Sequence, residues 1–257
     1  MLFNFLLLFF TALIAGGLAY FLPNWQERYF KLVLVFAGSY LFAITVMHIL
    51  PELFVGTEDA RFMGLYILLG FLLQQILELL SSGVEHGHIH HHGHHHGIES
   101  GVWTLMIGLF LHAFLEGTLL SHDGMLALHD HSHEGHHHHH HHGSNNLLFG
   151  IMLHKGPEAF ALVAVLMTAL KKRWVLVLLV IFALASPLGM WASSFLYETD
   201  LIGRGALNVF YGMVAGGFLH ISTTIFFESS PDHRFHLNKV IISMIAFGLA
   251  IGFELLA

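Results

Sequence analysis

The sequence predicts an all-α integral membrane protein, and three observations support this fold class. Of the 257 residues, 55% are hydrophobic and only 11% are charged, whereas soluble domains carry about 25% charged residues. Apolar runs long enough to cross about 30 Å of hydrocarbon recur along the chain. Lys and Arg are concentrated in alternate links between these runs. We therefore expect a single transmembrane domain over residues 1–257.

Eight apolar runs are predicted to form transmembrane helices 1–8. A span needs about 20 residues at a rise of 1.5 Å per residue. The first run has no basic start and no clear small-x-small cleavage site, and its apolar stretch is too long for a signal peptide, so we interpret it as a span. The runs cover residues 2–22, 30–50, 62–82, 102–120, 147–170, 174–196, 206–227 and 239–254.

The positive charges predict the orientation of the helices. Cytoplasmic links carry an excess of Lys and Arg. The links between predicted helices 1 and 2, 5 and 6, and 7 and 8 hold Arg28, Lys31, Lys171, Lys172, Arg173, Arg234 and Lys239, and the opposite side holds Arg61 and Arg204. Both termini are therefore expected to be extracytoplasmic.

Histidine is the metal-ligating residue type in which this chain is rich. There are 25 histidines and no cysteines, so disulfides, thiolate metal sites and thiol catalysis are excluded. Most histidines lie in two low-complexity links, a predicted cytoplasmic loop at 83–100 and a predicted extracytoplasmic loop at 121–146. We expect these Gly- and His-rich loops to gather or sense metal without fixed geometry. A purification tag at residues 136–142 is the alternative, but an intact apolar run follows it.

Predicted helices 4 and 5 each carry a His-x-x-x-Glu pair where ionisable groups are costly. Each such group costs about 3 kcal/mol at the bilayer centre, which makes it a functional candidate. His112 and Glu116 share one helix face, as do His154 and Glu158. Antiparallel helices place Glu116 near the level of His154, and His112 near that of Glu158. The sequence therefore predicts a site of two imidazoles and two carboxylates for a divalent transition metal.

Pro157 adjoins these ligands in predicted helix 5. A proline inside a helix removes a backbone hydrogen bond and kinks the chain. Broken helices beside acidic ligands recur at ion sites within membranes, so we expect helix 5 to be broken there.

These motifs resemble those of the ZIP (Zrt/Irt-like) family of divalent metal transporters over essentially the whole chain. Residues 112–117 (HAFLEG) resemble the family's H-[NS]-x-x-E-G, and residues 154–158 (HKGPE) its H-x-x-P-E. Weaker matches are HILPE at 48–52, SPLG at 186–189 and AGGFLHIS at 215–222. The resemblance implies a ZIP-like helical bundle that moves metal toward the cytoplasm through a site on helices 4 and 5.

The chain departs from the family pattern at three positions. Ala113 stands where the family has Asn or Ser, Lys155 where some members have Asp, and Ser186 where the family often has Glu. Three oxygen ligands of a second metal are therefore missing. A lysine ammonium beside Glu116 and Glu158 would repel a second dication. We expect one transported metal, with Lys155 modulating the charge beside it.

Other polar residues near the helix ends are candidates for an entrance or an exit. His48 and Glu52 lie near the outer end of predicted helix 2, where Pro51 offers a simple alternative by ending the helix. His220 lies toward the cytoplasmic end of predicted helix 7, either as an exit ligand or as a hydrogen bond between helices. Glu78 is interpreted as an interfacial residue.

The expected function is transport of a divalent metal, zinc above Cd, Fe, Mn or Co, with no permanently bound cofactor and no enzymatic activity. The expected partners are the lipid bilayer and metal ions, without nucleic acid, and the expected location is the cell (inner) membrane. A homodimer is left open. The alternatives are a membrane metalloenzyme of the His-box type, which needs ordered histidines, and a metal sensor that does not transport.

Overall fold

The computed structural model describes residues 2–21, 27–55, 57, 59–81, 98–120, 142–199, 204–228 and 237–256. These residues form eight helices, which confirms the prediction of an all-α chain. The helices are α1 (Leu2–Phe21), α2 (Glu27–Ile44, a π-helical turn at Thr45–Ile49, then Leu50–Val55), α3 (Ala60–Ser81), α4 (Ile98–Thr118), α5 (His142–Ala169), α6 (Lys172–Glu198), α7 (Arg204–Glu228) and α8 (Leu237–Leu256).

Six of these helices are long and apolar enough to cross a membrane: α1, α2, α3, α5, α6 and α8. Their outward faces carry large apolar side chains such as Leu79 and Trp191, as lipid-facing helices require. In α4 the continuous apolar part is the shorter run Val102–Thr118. Polar residues such as His220 and Thr223 lower the hydropathy of α7. The described helices therefore fit a multi-pass helical membrane protein.

The helices pack into two halves, each with a hydrophobic core. One core consists mainly of α1, α4, α5 and α6, with a contribution from α2, around residues such as Leu109 and Phe182. The other consists mainly of α2, α3, α7 and α8, with contributions from α1, α5 and α6, around residues such as Leu41 and Phe218. Contacts of α2 with α5 and of α3 with α4 link the halves. Of the polar residues discussed below, Gln74 and His112 lie at the contact between α3 and α4.

Glycines allow two pairs of helices to cross with their backbones in contact. A Cβ atom at Gly117 of α4 would lie 1.9 Å from the carbonyl oxygen of Ser186 in α6, and one at Gly189 would lie 1.9 Å from that of Phe114. The crossing of α3 and α7 is equally close at Gly70 and Gly216. Any larger side chain would force these backbones apart. The α4–α6 crossing thereby fixes the backbone that carries Glu116.

The alternative stated for Pro51 and the expected break at Pro157 are both wrong. Pro51 does not end α2, which continues to Val55; the π-helical turn at Thr45–Ile49 accommodates the altered hydrogen bonding just before this proline. The helix α5 is also continuous through Pro157. A proline costs one backbone hydrogen bond, and packing on both sides of α5 keeps the remaining turns helical.

The predicted His-rich loops lie mostly outside the described residues. Residues 82–97 and 121–141 are not described, so the predictions about them remain predictions. At the margins, the boundaries of both loops are wrong. Residues 98–100 belong to α4 and residues 142–146 belong to α5, because each helix begins before its apolar run does.

Candidate metal centre

The four predicted ligands come together between α4 and α5. His112 and Glu116 lie in the last two turns of α4. His154 and Glu158 lie near the midpoint of the 28-residue α5. All four side chains are buried, with between 0% and 3% of their surface exposed. Two imidazoles and two carboxylates are therefore concentrated in the interior of the bundle.

The distances between these side chains agree with the antiparallel arrangement expected from the sequence. His112 Nε2 lies 3.0 Å from Glu116 Oε1 and 4.0 Å from Glu158 Oε1, and His154 Nε2 lies 3.9 Å from Glu116 Oε1. Ligand atoms of His112, His154 and Glu158 all lie within 4.8 Å of one another. A tetrahedral zinc holds its ligand atoms roughly 3.3 Å apart. Small side-chain movements would therefore close this group around an ion.

Lys155 is buried in the same cluster and contacts both carboxylates. Its Nζ lies 3.2 Å from Glu116 Oε2 and 3.2 Å from Glu158 Oε2. The ammonium also lies 4.6 Å from the centre of the Phe182 ring, a cation–π contact with α6. Two buried carboxylates without a positive partner would be strongly destabilising. We call His112, Glu116, His154, Lys155 and Glu158 the central cluster.

Gln74 of α3 is a partner of the cluster that the sequence analysis missed. Its Oε1 lies 3.1 Å from His112 Nδ1, and its side chain is buried. Gln74 Oε1 can accept a hydrogen bond from Nδ1, and in that tautomer the lone pair of Nε2 is available to a metal ion between Glu116 and Glu158. Gln74 belongs to no motif, and 38 residues separate it from His112. The sequence feature that could have indicated Gln74 is a polar amide side chain within an apolar run.

A cavity of about 20 Å³ adjoins the cluster on the side of α3 and α7. Gln74, His112 and Glu116 form its polar wall, and Gly217 and Phe218 of α7 lie opposite. Such a volume holds about one water molecule. The central cluster therefore has a cavity of the size of one water molecule on one side and packed side chains on others.

Ser186 is used for helix packing. Its hydroxyl donates a hydrogen bond of 2.8 Å to the backbone carbonyl of Ala113 in α4. This contact belongs to the close crossing at Gly117 and Gly189. Ser186 therefore ties α6 to the helix that carries two of the candidate ligands.

A second group of metal-ligating side chains, the His48 cluster, consists of His48, Glu52 and Glu254. His48 Nδ1 lies 2.9 Å from Glu254 Oε1 of α8 and 3.7 Å from Glu52 Oε1. The two carboxylate side chains are 18% and 20% exposed. Glu254 was not predicted as a site residue, because it stands alone near the end of an apolar run. His48 lies within the π-helical turn of α2, and Glu52 lies in the helical segment that follows it.

His220 contacts Glu78, which corrects the interpretation of Glu78 as an interfacial residue alone. The distance between His220 Nε2 and Glu78 Oε2 is 2.5 Å, and the Phe71 ring packs edge-on against the imidazole. This His220–Glu78 pair links α3 to α7 next to their glycine crossing. It lies one helical turn beyond Gln74 along α3. This contact is a hydrogen bond between helices, which was one of the two alternatives stated for His220.

No model of a known protein family matches the chain, and no curated protein matches it. The resemblance to the ZIP family therefore remains an expectation that depends on the quoted motifs.

Proposed function

We propose that the protein carries a divalent transition metal, zinc foremost, across a membrane toward the cytoplasm through the central cluster. The observation that carries the proposal is the convergence of His112, His154 and Glu158 at a buried position between apolar helices, with Glu116 in contact with His112. Nitrogen and carboxylate ligands suit zinc and its neighbours in the first transition row. Ionisable groups so far from water are retained in membrane proteins for ion pathways or similar functions.

We extend the six apolar helices to eight spans by including α4 and α7. Both helices are covered by neighbours in the two cores, so their polar residues need not face lipid. The Lys and Arg distribution supports extracytoplasmic termini and an outer location for the end of α2 that carries His48. In this orientation the His48 cluster would meet incoming ions, and the His220–Glu78 pair would lie on the cytoplasmic side.

We propose membership of the ZIP family with one transported metal in place of two. The motifs at 112–117 and 154–158 support the family. Lys155 bridges the two carboxylates at the point where a second ion would need them, and Ser186 is engaged with Ala113. Like charge repels a second dication from this position. The inner membrane is the proposed location.

Uptake by sealed proteoliposomes tests the proposal directly. Wild-type protein should accumulate zinc from a panel of divalent ions, and His112→Ala should abolish the accumulation at zinc concentrations that just saturate the wild type. Leu111→Ala is the matched control, because Leu111 is the neighbouring residue on α4 and its side chain is exposed on the outer face of the bundle. Equal uptake by wild type and His112→Ala would overturn the proposal.

The same vesicles separate the other two functions. A metalloenzyme would consume oxygen or release product in the presence of metal without accumulating it. A sensor would bind zinc with no flux and would lose nothing in uptake when Glu158 is replaced by Ala. Either result in the wild type would replace transport as the function.

A further inference from the structure

The two oxygens of each carboxylate in the central cluster face different partners. Oε1 of Glu116 faces both imidazoles, at 3.0 Å from His112 Nε2 and 3.9 Å from His154 Nε2. Oε1 of Glu158 lies 4.0 Å from His112 Nε2. Oε2 of each residue lies 3.2 Å from Lys155 Nζ. One ammonium therefore holds one oxygen of each carboxylate, and the other oxygen of each is directed toward the histidines.

From this division we infer that Lys155 determines the coordination number of the bound ion, and through it the choice of metal. With Oε2 of both residues held by the ammonium, Glu116 and Glu158 each supply a single oxygen. Together with His112 and His154 they make a four-coordinate site of two nitrogens and two oxygens. The inference depends on the proposed function, because it concerns the ion that the central cluster carries.

Such a site favours ions that accept four ligands. Zinc has no geometric preference from its d electrons and is commonly tetrahedral with nitrogen and oxygen ligands. Manganese prefers six oxygen-rich ligands, and calcium takes six to eight oxygens, with carboxylates often bidentate. Freeing both carboxylates would add two ligand atoms. Lys155 therefore excludes the coordination that larger ions need.

The packing of the fold holds Lys155 in position, so the limit on the number of ligand atoms is built into the structure. Its side chain is 1% exposed, although it is among the largest buried in the protein. Phe182 of α6 packs against the ammonium, and Lys155 directly follows His154 on α5. Withdrawing the ammonium would leave a charge unpaired in the apolar interior. An arriving ion therefore meets the carboxylates with Oε2 already engaged.

Cobalt(II) spectroscopy tests the inference on the full-length protein. Four-coordinate cobalt(II) has intense visible d–d bands, whereas five- and six-coordinate cobalt(II) has weak ones. Because other histidines also bind cobalt, the central contribution is taken as the difference between wild type and His112→Ala/His154→Ala. We expect intense bands in the wild-type difference spectrum. Weak bands there would overturn the inference, and this measurement needs no substitution of Lys155.

Two variants that lack Lys155 then show whether the lysine acts by engaging the carboxylate oxygens or by its positive charge. In Lys155→Met, cobalt coordination should rise and the ratio of zinc to manganese uptake should fall by about tenfold, the usual scale for losing a group that orients metal ligands. Lys155→Met/Glu158→Gln keeps the formal charge of the cluster but frees Oε2 of Glu116, so its cobalt coordination should also rise. Unchanged coordination in a folded variant of either kind would overturn the inference.

Failure of this inference can be told apart from failure of the proposed function. If the wild type accumulates zinc but binds cobalt(II) with six ligands, the function stands and the role of Lys155 is wrong. If the wild type binds cobalt(II) with four ligands but accumulates no metal, the coordination stands and transport is wrong. Lys155→Arg, which retains a positive charge beside the carboxylates, should keep the four-coordinate spectrum.

Discussion

The His-x-x-x-Glu spacing occurs in both the central cluster and the His48 cluster, yet the two regions differ in burial and charge. In the central cluster the carboxylates are almost inaccessible and a buried lysine bridges them. In the His48 cluster they are about one-fifth exposed, and the positive partner is His48 itself when protonated. Because both pairs have the same spacing, the differences in burial and in positive partner come from the neighbouring helices.

The difference indicates two roles along one proposed path. A fully buried group of ligands with a fixed counter-charge is suited to selecting an ion, because few arrangements satisfy it. A partly exposed group next to a π-helical turn is suited to collecting ions from water, where binding is weaker and screened. Substitutions in the two regions should therefore differ in size and in their dependence on salt.

The largest expected effect compares His112→Ala with His48→Ala. His112 is a direct ligand in the proposal, so its loss should raise the zinc concentration needed for half-maximal uptake by more than about 100-fold, beyond the usual effect of an orienting partner. His48→Ala should raise it by less than about tenfold, because the central ligands remain. Initial uptake rates over a range of zinc concentrations give both values. Equal losses in the two variants would end the distinction between the clusters.

The next effect concerns the crossing that fixes the backbone of the central cluster. Gly117→Ala should lower the free energy of unfolding by about 1–3 kcal/mol or more, since its Cβ would lie 1.9 Å from a backbone oxygen. Gly248→Ala in α8 is the matched control, because no other helix among the described residues comes within 4 Å of its Cβ position. Thermal unfolding followed by circular dichroism compares the two. If Gly117→Ala is as stable as Gly248→Ala, the crossing does not hold the cluster in place.

A smaller effect is expected from Gln74, which touches the central cluster without binding metal. Gln74→Leu removes the acceptor from His112 Nδ1 and should weaken zinc binding by about tenfold. Gln75→Leu is the control, because Gln75 is the adjacent residue and its side chain is exposed. The half-saturating zinc concentration for uptake and the ¹⁵N shifts of the His112 ring report the change. Unaltered ring shifts in Gln74→Leu would show that Gln74 does not select the tautomer.

The smallest effect is expected in the His48 cluster. Glu254→Gln should raise the half-saturating zinc concentration by less than about fivefold, and the difference should vanish at 1 M salt, where the Debye length is about 3 Å. Glu198→Gln is the control, since Glu198 is an exposed carboxylate at the end of α6. Uptake at low and high ionic strength makes the comparison. A change that persists at high salt would place Glu254 among the buried ligands instead.

The sequence predicted the helical fold and the meeting of the two His and Glu pairs of α4 and α5, because both depend on local spacing. Apolar runs of span length mark the helices, and four-residue spacing puts each His and Glu of a pair on one face. The contacts of His112 with Glu158 and of His154 with Glu116 then follow from antiparallel packing. These features need no knowledge of which other helices are adjacent.

The partners of those ligands could not be predicted, because they depend on tertiary neighbours. Glu254 is 206 residues from His48, and Glu78 is 142 residues from His220. Gln74 is an uncharged amide in an apolar run, and no motif distinguishes it from the exposed Gln75 beside it. The π-helical turn before Pro51 and the continuity of α5 at Pro157 likewise depend on packing. A local reading of proline predicted an end or a break at both positions.

The lysine in the central cluster also bears on how the chain is made. A newly synthesised protein must place two carboxylates in its interior before any ion has reached them, and metal-dependent folds are unfolded without their metal. Here the chain brings its own counter-charge on the same helix as Glu158. We therefore expect assembly and turnover of the protein to be the same in metal-starved and metal-replete cells.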